Sequence, residues 1–263
     1  MAANPNLKPV KKSSVRERVS SEEWQVRVDL AAAYQLASLF KWTDLIYTHF
    51  SARVPGSPDF LINPYGLMFD EITASNLVKI DHGGKVLDDP LDLGYNEAGF
   101  VIHGCVHEAR PEVNCVIHTH TRAGVAVSAM KCGLLPISQH AQYTEPMVTY
   151  HDYEGIALDM DERTRMAKDL GKTSKAMILR NHGLLTMGNT VHEAWEMMYY
   201  LDCACQIQID AMAGGDHNVL QMSRKAADTA FEQFNRPNRP ALSKAWPALR
   251  RMLERRGIDY IGE

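Results

Sequence analysis

The chain has 263 residues, of which 45% are hydrophobic and 23% are charged, and its formal net charge is −4. This length and composition are typical of a soluble globular protein with one large domain or two small ones. The negative charge argues against a nucleic-acid binder, which needs clustered Lys and Arg, and the sequence shows neither a membrane-spanning run nor a signal peptide. The five cysteines form no Cys-x-x-Cys pair, so we expect free thiols and a cytoplasmic location.

The first half of the sequence predicts a tail, a helix and several short strands. Residues 1–19 are rich in Lys, Arg, Pro and Ser, so we expect a flexible N-terminal tail before a single domain over residues 20–263. A Ser-Ser-Glu-Glu capping pattern and apolar residues at helical spacing predict a helix from Ser20 to about Lys41. Alternating apolar residues and turn signals predict strands, the first two paired as a hairpin, over residues 46–53, 60–62 and 77–80.

The second half alternates predicted helices and strands. Asn96 is a helix-capping residue, and Pro111 ends the helix that begins after it. The predicted helices cover about residues 97–109, 121–132, 161–170 and 191–212, and a C-terminal segment over 222–256 with breaks near Pro237, Pro240 and Pro247. The predicted strands lead into residues 118–120 and cover 177–188 on both sides of an Asn-His-Gly turn. Because no repeat or linker divides the chain, we predict one α/β domain.

The stretch CVIHTHT at residues 115–121 ends an apolar strand in two histidines. Residues i and i+2 of a strand point to the same face, so His118 and His120 present their imidazoles side by side. His182 lies in a tight turn between two apolar strands and is the candidate third ligand. Three neutral imidazoles with an open fourth position form a catalytic zinc arrangement. The alternative is that the pair is polar only because the strand reaches the surface.

A rival pair is formed by His103 and His107, four residues apart on the predicted helix 97–109. Zinc proteases use this spacing, but they need a glutamate directly after the first histidine, where this sequence has Gly104. We therefore interpret the pair as a polar helix face.

Several segments in a fixed order resemble the class II aldolase/adducin superfamily. Arg110-Pro111 precedes CVIHTHT, a helix follows, and ILRNHGLLTMG (178–188) leads into a capped helix. The resemblance runs from about Glu22 to Met212. It is closest to the bacterial adducin-like branch, similar to adducin N-terminal heads, in the segments THFSAR, FLINPYGLMFDEITASNLVKID and NEAGFVIHGCVHEARPEV.

The resemblance implies a fold, an assembly and a metal site. The fold is a single α/β domain of three layers, α/β/α, whose mostly antiparallel central sheet is flanked by helices. The assembly is a homotetramer with active sites at subunit interfaces. The family's metal ligands map onto His118, His120 and His182, which would hold Zn²⁺ or another divalent ion such as Mn²⁺, Fe²⁺ or Co²⁺.

The sequence departs from the sugar-phosphate aldolases of this superfamily at two places. Thr48-His49, Tyr65-Gly66 and Glu97-Ala98 stand where those enzymes have a Gly-Asn pair, a Thr-Gly turn and paired serines that hold the substrate phosphate. Gly99 stands where they have the acid/base glutamate. We therefore expect a small, non-phosphorylated substrate that carries a carboxylate.

The catalytic candidates that remain are His49 and Glu97. His49 would contact the substrate carboxylate, with a satisfied polar residue in a hairpin as its alternative role. Glu97 would replace the missing base, with stabilisation of a helix N-terminus as its alternative role. We expect the substrate-binding residues to include Asn63, Gly66 and Thr119.

Two functions fit these observations. The first is a metal-dependent carbon–carbon lyase, of aldolase or decarboxylase type, acting on a small hydroxy- or oxo-carbonyl compound. The second is a non-catalytic assembly module like the cytoskeletal, actin-binding type of adducin head, with a vestigial metal site. Retention of all three histidines favours the enzyme, and the missing carboxylate base favours decarboxylation over sugar aldol cleavage.

Overall fold

The computed structural model describes residues 14–155, 161–236 and 241–262. Its centre is one sheet, which has eight strands within these ranges. The strands are β1 His49–Arg53, β2 Phe60–Ile62, β3 Val78–Ile80, β4 Val86–Asp88, β5 Cys115–Thr119, β6 Val148–His151, β7 Ala176–Leu179 and β8 Gly183–Gly188. They lie in the order β4-β3-β2-β1-β5-β8-β7-β6, and neighbours are antiparallel except β6 and β7, which are parallel.

Helices cover both faces of the sheet. They are α1 Val15–Arg18, α2 Ser21–Leu39, α3 Glu97–Ala109, α4 Arg122–Ser128, α5 Gln139–Thr144, α6 Glu162–Leu170, α7 Val191–Met212, α8 Arg224–Phe234 and α9 Ala241–Arg255. The larger core lies between one face of the sheet and α2, α4, α7 and α9, and a smaller core lies between the other face and α3 and α6. Among the helices of the described ranges there is no candidate for a membrane span.

The alternation of side chains along β5 decides which residues reach the candidate site. Cys115 and Ile117 point into the larger core, whereas Val116 belongs to the core beside α3 and α6. His118 therefore lies on the α3 side of the sheet. Because β1 runs antiparallel to β5 with His49 opposite His118, the two central strands place both histidines together.

The fold predicted from the sequence is confirmed as a three-layer α/β arrangement with a mostly antiparallel sheet. The first long helix is α2, where the Ser20 hydroxyl accepts a hydrogen bond from the Glu23 amide. The helix predicted over residues 97–109 coincides with α3, where the Asn96 side chain accepts a hydrogen bond from the Ala98 amide. These helix starts follow from local capping chemistry.

The N-terminal expectation needs a correction. Residues 1–13 of the predicted tail lie outside the described residues. Residues Val15–Arg18, however, form the short helix α1, in which Val15 is buried and Arg18 pairs with Asp88 at 2.8 Å. An apolar contact and an ion pair therefore attach this part of the predicted tail to the domain.

The C-terminal segment is helical, as the sequence predicts, but its expected interruptions differ. The breaks predicted near Pro237 and Pro240 lie outside the described residues. The break predicted near Pro247 is wrong, because α9 continues through that residue. A proline removes one backbone hydrogen bond, and the burial of Trp246 and Leu253 on either side holds the helix in place.

Candidate active site

Three histidine side chains converge at one end of the central strands. His118 lies near the end of β5, His120 follows that strand, and His182 lies in the turn between β7 and β8. Their candidate ligand nitrogens all lie within 4.8 Å of one another, and the Nε2 atoms of His118 and His120 are 2.9 Å apart. The structure therefore brings together the three residues predicted to bind a metal.

The turn before β8 lies tightly against the end of β5. Asn181 has a φ of 56°, in the left-handed region that asparagine tolerates. A Cβ on Gly183 would overlap the Thr119 carbonyl oxygen, so only glycine lets β8 begin this close to β5. This close approach places His182 beside the other two imidazoles.

Hydrogen bonds on the outer side of the cluster orient two of the rings. His118 Nδ1 donates to the Leu184 carbonyl at 3.0 Å, and His120 Nδ1 donates to the Asp44 carboxylate at 2.9 Å. Because both partners only accept, Nδ1 of each ring carries the hydrogen and Nε2 of each ring faces the cluster. The two Nε2 atoms lie 2.9 Å apart, close enough that both could bind one cation. Outer partners of this kind orient metal-binding histidines, so the donor set fits a divalent ion.

The cluster is electrostatically suited to a metal rather than to an added proton. Burial lowers the pKa of His118 well below its ordinary value, and the neighbouring His182, His49 and His120 lower it further. Burial, with His120 nearby, also lowers the pKa of His182 to about 4. Both rings are therefore neutral at pH 7, the form in which imidazole binds metals.

A cavity of about 690 Å³ opens beside the three imidazoles. Its lining includes both catalytic candidates, His49 and Glu97, and Glu97 is exposed as the first residue of α3. Tyr47, Tyr65 and Tyr153 also line it. None of the lining residues in the described part of the chain is Lys or Arg. These residues therefore offer a phosphate group no cationic side chain.

Two of the residues predicted to bind substrate lie in the segment after β2. Gly66 has a φ of 104° and follows Tyr65, which lines the cavity. Asn63 is buried, and its Oδ1 accepts a hydrogen bond from the Tyr34 hydroxyl at 2.7 Å. Gly66 is therefore next to a lining residue in the sequence without lining the cavity itself, whereas the Asn63 side chain contacts α2 in the core.

Thr119, also predicted to bind substrate, points away from the cavity. It lies between His118 and His120, and alternation along an extended chain turns its side chain to the opposite face. Its hydroxyl contacts the sulfur of Met198 on α7 at 3.3 Å. The expectation of a substrate contact by this side chain is therefore corrected, as it is for Asn63.

His49 fills the space that a side chain at residue 99 would need. Its ring is buried, and the ring centroid lies 5.0 Å from that of His118. A Cβ on Gly99 would lie 2.8 Å from both Cγ and Cδ2 of His49. An imidazole at residue 49 and a carboxylate at residue 99 therefore exclude each other sterically.

The residue before His49 has a strained backbone. Thr48 has a φ of 69°, a region that β-branched residues rarely adopt. Its hydroxyl is buried without a hydrogen-bond partner among the described residues. The backbone strain and the unsatisfied hydroxyl each cost about 1–3 kcal/mol, and strain of this kind concentrates at functional sites.

Some residues of the site carry no signal in the sequence. Asp44, in the loop before β1, has no local pattern that links it to His120, and the lining residues Tyr47 and Tyr153 have none either. His103 and His107 are buried, so the predicted polar helix face is wrong. Their Nε2 atoms contact different partners, His49 for the first and Ser51 for the second, so this pair is not a metal site.

Comparison with known proteins decides the family. The family described as Class II Aldolase and Adducin N-terminal domain matches residues 28–209. The chain belongs to this family. The resemblance found in the sequence is thereby confirmed, and the family relationship covers all three histidines of the cluster.

Both branches of the family occur among similar proteins. An aldolase II superfamily protein from Pseudomonas syringae is 55% identical, with a TM-score of 0.90 over 94% of this chain and 99% of that chain. The L-fuculose 1-phosphate aldolase from Glaciozyma antarctica PI12 is 27% identical, with a TM-score of 0.80 over 92% and 93% of the two chains. Alpha-adducin of Rattus norvegicus is 44% identical over 88% of this chain but only 33% of its own length.

Proposed function

We propose that this protein is a metal-dependent carbon–carbon lyase that acts on a small, non-phosphorylated hydroxy- or oxo-carbonyl compound. The observation that carries the proposal is the orientation of His118 and His120. Their outer nitrogens are bound to acceptors, and their Nε2 atoms face each other and His182. This is the arrangement that a divalent ion requires of histidine ligands, and an assembly module has no need of it.

Different residues would bind the metal and line the cavity. His118, His120 and His182 would hold Zn²⁺, or Mn²⁺, Fe²⁺ or Co²⁺. A bound divalent ion would polarise a substrate carbonyl and stabilise negative charge on its oxygen. His49 forms the neighbouring wall of the cavity, and Glu97 lies at the N-terminus of α3.

The position of Glu97 supports decarboxylation over sugar aldol cleavage. Glu97 is exposed, and as the first residue of α3 it complements the positive end of the helix dipole. No carboxylate can occupy residue 99 while the His49 ring stays in place. Aldol cleavage requires a base for a substrate hydroxyl, and His49 is a weak one, because burial lowers its pKa well below the ordinary value. Decarboxylation needs only stabilisation of the resulting charge and a proton donor afterwards.

Metal analysis tests the proposal. We expect the purified protein to bind one divalent ion per chain, and the double variant His118→Ala, His120→Ala to lose it while keeping its fold by circular dichroism. The double variant His192→Ala, His217→Ala, with both changes outside the cluster, is the matched control and should keep the ion. A native protein that remains metal-free in micromolar zinc would exclude the lyase.

The second candidate function is a non-catalytic assembly module, favoured by the 44% identity to alpha-adducin. This function predicts that the His118→Ala, His120→Ala variant assembles as the native protein does. It also predicts no turnover of hydroxy- or oxo-acids by a zinc-loaded protein. Activity with any of these compounds that disappears in the double variant would eliminate it.

We also propose a homotetramer in the cytoplasm, with active sites at subunit interfaces. Leu45, Tyr47 and Tyr65 are 65%, 46% and 40% exposed, and both tyrosines line the cavity, which supports an apolar contact with another subunit at its mouth. Sedimentation should give a tetramer, and Leu45→Asp should weaken it. A monomer at micromolar concentration would contradict the assembly, and cell fractionation checks the location.

A further inference from the structure

A chain of hydrogen bonds leads from the cavity wall into the protein between β1 and α3. His49 Nδ1 lies 2.9 Å from His103 Nε2, and His103 Nδ1 lies 2.6 Å from Ser51 Oγ. Ser51 Oγ lies 2.8 Å from His107 Nε2, and His107 Nδ1 lies 3.3 Å from the Val113 carbonyl. All four side chains are at least 95% buried. These hydrogen bonds therefore form a buried network in which, of the four side chains, only His49 lines the cavity.

The Val113 carbonyl, at the end of this hydrogen-bond network, fixes the direction of each bond in it. The Val113 carbonyl can only accept, so His107 Nδ1 carries the hydrogen and His107 Nε2 accepts from the Ser51 hydroxyl. Ser51 Oγ in turn accepts from His103 Nδ1, which leaves a lone pair on His103 Nε2. That lone pair accepts from His49 Nδ1, and the neutral His49 ring is left with a lone pair on Nε2.

The side chain of Arg53 could reverse this order, and the distances argue against it. Its Nη2 lies 3.5 Å from His107 Nδ1, farther than the Val113 carbonyl, and it already donates to the His107 carbonyl at 2.7 Å. A hydrogen bond from Arg53 to Nδ1 would make every ring in the chain a donor through Nε2. The two orders thus predict opposite tautomers for His49, which makes them experimentally distinct.

We infer that His103, Ser51 and His107 hold His49 as a hydrogen-bond acceptor in the cavity wall, where it selects a substrate hydroxyl next to the metal and disfavours an anionic group. A hydroxyl donates to an imidazole lone pair, whereas a carboxylate or phosphate presents only lone pairs of its own. Residues 103, 51 and 107 are positioning residues, and His49 is the group that contacts substrate. The choice of ligand rests on the proposed function, but the tautomer of His49 does not.

His49 thereby takes a different role from the carboxylate contact that the sequence suggested. A carboxylate on the substrate would instead be placed elsewhere in the cavity. The lack of Lys and Arg among the described lining residues agrees with a wall that does not recognise anions. The His49 and His118 ring centroids are 5.0 Å apart, so a hydroxyl bound to His49 would lie beside the histidines that would hold the ion.

Nitrogen NMR on the metal-free protein, labelled at histidine, tests the tautomer directly. We expect His49, His103 and His107 to be neutral rings with a protonated Nδ1 and a pyridine-type Nε2, with resonances assigned through single His→Gln variants. Ser51→Ala should leave His49 as a mixture of tautomers. Ser174→Ala, which removes another buried hydroxyl, bonded to the Leu170 carbonyl, should not change it.

Several outcomes would overturn the inference. A protonated Nε2 on His49 would show that the chain runs in the opposite direction. An unchanged single tautomer in Ser51→Ala would show that the chain does not set it. If Ser51→Ala fails to fold, His103→Gln interrupts the same chain next to His49, and Ser51→Thr, which keeps the hydroxyl, should preserve the native tautomer.

Calorimetry on the zinc-loaded protein tests the ligand class with three small chelators. We expect glycolohydroxamate to bind about fivefold to tenfold more tightly than acetohydroxamate, the ratio for one added hydrogen bond. Malonic monohydroxamate, which adds a carboxylate, should bind no better than acetohydroxamate. Tightest binding of the carboxylate compound would overturn the inference, as would equal binding of the first two. A protein that binds no zinc would refute the proposed lyase, while the NMR experiment would still decide the tautomer.

Discussion

At the scale of single residues, the contact between His49 and Gly99 determines whether an imidazole or a carboxylate can lie in the cavity wall. The ring of His49 lies where a Cβ at residue 99 would need to be. A bulky residue at 49 therefore requires glycine at 99, and a carboxylate at 99 requires a smaller residue at 49. The histidine at residue 49 and the glycine at residue 99 are thus sterically coupled.

A double-mutant cycle should measure this exclusion. Gly99→Ala should destabilise the protein by about 1–3 kcal/mol, the usual cost of overpacking, because the new Cβ meets the rigid His49 ring. The change should cost much less in a His49→Ala background. Gly104→Ala is the matched control on α3, since a Cβ there meets mainly the end of the flexible Arg163 side chain. Urea unfolding gives the energies, and additive effects of the two changes would contradict the exclusion.

Asp44 should affect metal affinity although it is not a ligand. Asp44→Asn weakens the acceptor for His120 Nδ1, so zinc affinity should fall by about 10-fold to 100-fold, the usual effect of losing such an outer partner. Asp169→Asn is a matched control, because Asp169 makes the same kind of bond to His151 Nδ1 at 2.7 Å outside the three-histidine cluster. Competition with a chelator measures both affinities, and equal losses would rule out a specific role for Asp44.

At the scale of elements, the structure shows which parts of the fold the sequence could predict. The start of α3 and the shared face of His118 and His120 were predictable, because capping and strand alternation are local properties. The strands β4 and β6 were missed, and both lie at the edges of the sheet. Edge strands need not bury one face, as the exposed Val86 and Leu87 in β4 illustrate, so their sequences lack the alternating signal.

Contacts between distant elements explain what was missed in the candidate site. Asp44 reaches His120 across 76 residues, and His49 reaches His103 across 54. Neither partner has a sequence signature, because each contact depends on how β1 pairs with β5 and how α3 packs on β1. The same information was needed to see that His103 and His107 are buried rather than exposed.

Substitution of Pro247, where the sequence predicts a break that α9 does not have, tests what the proline costs the helix. Pro247 is exposed within α9, where it lacks an amide to donate to the turn before it. Pro247→Ala should therefore raise the free energy of unfolding by roughly 1–3 kcal/mol, toward the full cost of an interior proline. Ala248→Pro, at the exposed neighbouring position, should lower it. Thermal unfolding measures both, and a destabilised Pro247→Ala would mean that the proline relieves strain in the helix.

At the scale of the whole molecule, the histidines buried between β1 and α3 make the free energy of unfolding depend on pH. His107 is buried there, and burial together with the nearby Arg53 guanidinium lowers its pKa to about 3. Burial also lowers the pKa of His103 well below its ordinary value, and the adjacent His107 and His118 add to the effect. In the unfolded chain both groups would titrate near the ordinary histidine pKa of about 6.5.

The sign of the resulting pH dependence follows from proton binding. Below about pH 6.5 the unfolded chain binds a proton at His107 while the folded protein does not until about pH 3. The stabilisation is therefore complete above about pH 6.5 and is lost as the pH falls, by about 1.4 kcal/mol per pH unit for each such histidine. His107→Gln should reduce the slope of unfolding free energy against pH by about that amount between roughly pH 6 and pH 4. His217→Gln, at an exposed residue, should leave the slope unchanged. Denaturant titrations at several pH values measure the slopes, and an unaltered slope in His107→Gln would show that this histidine is not held neutral in the fold.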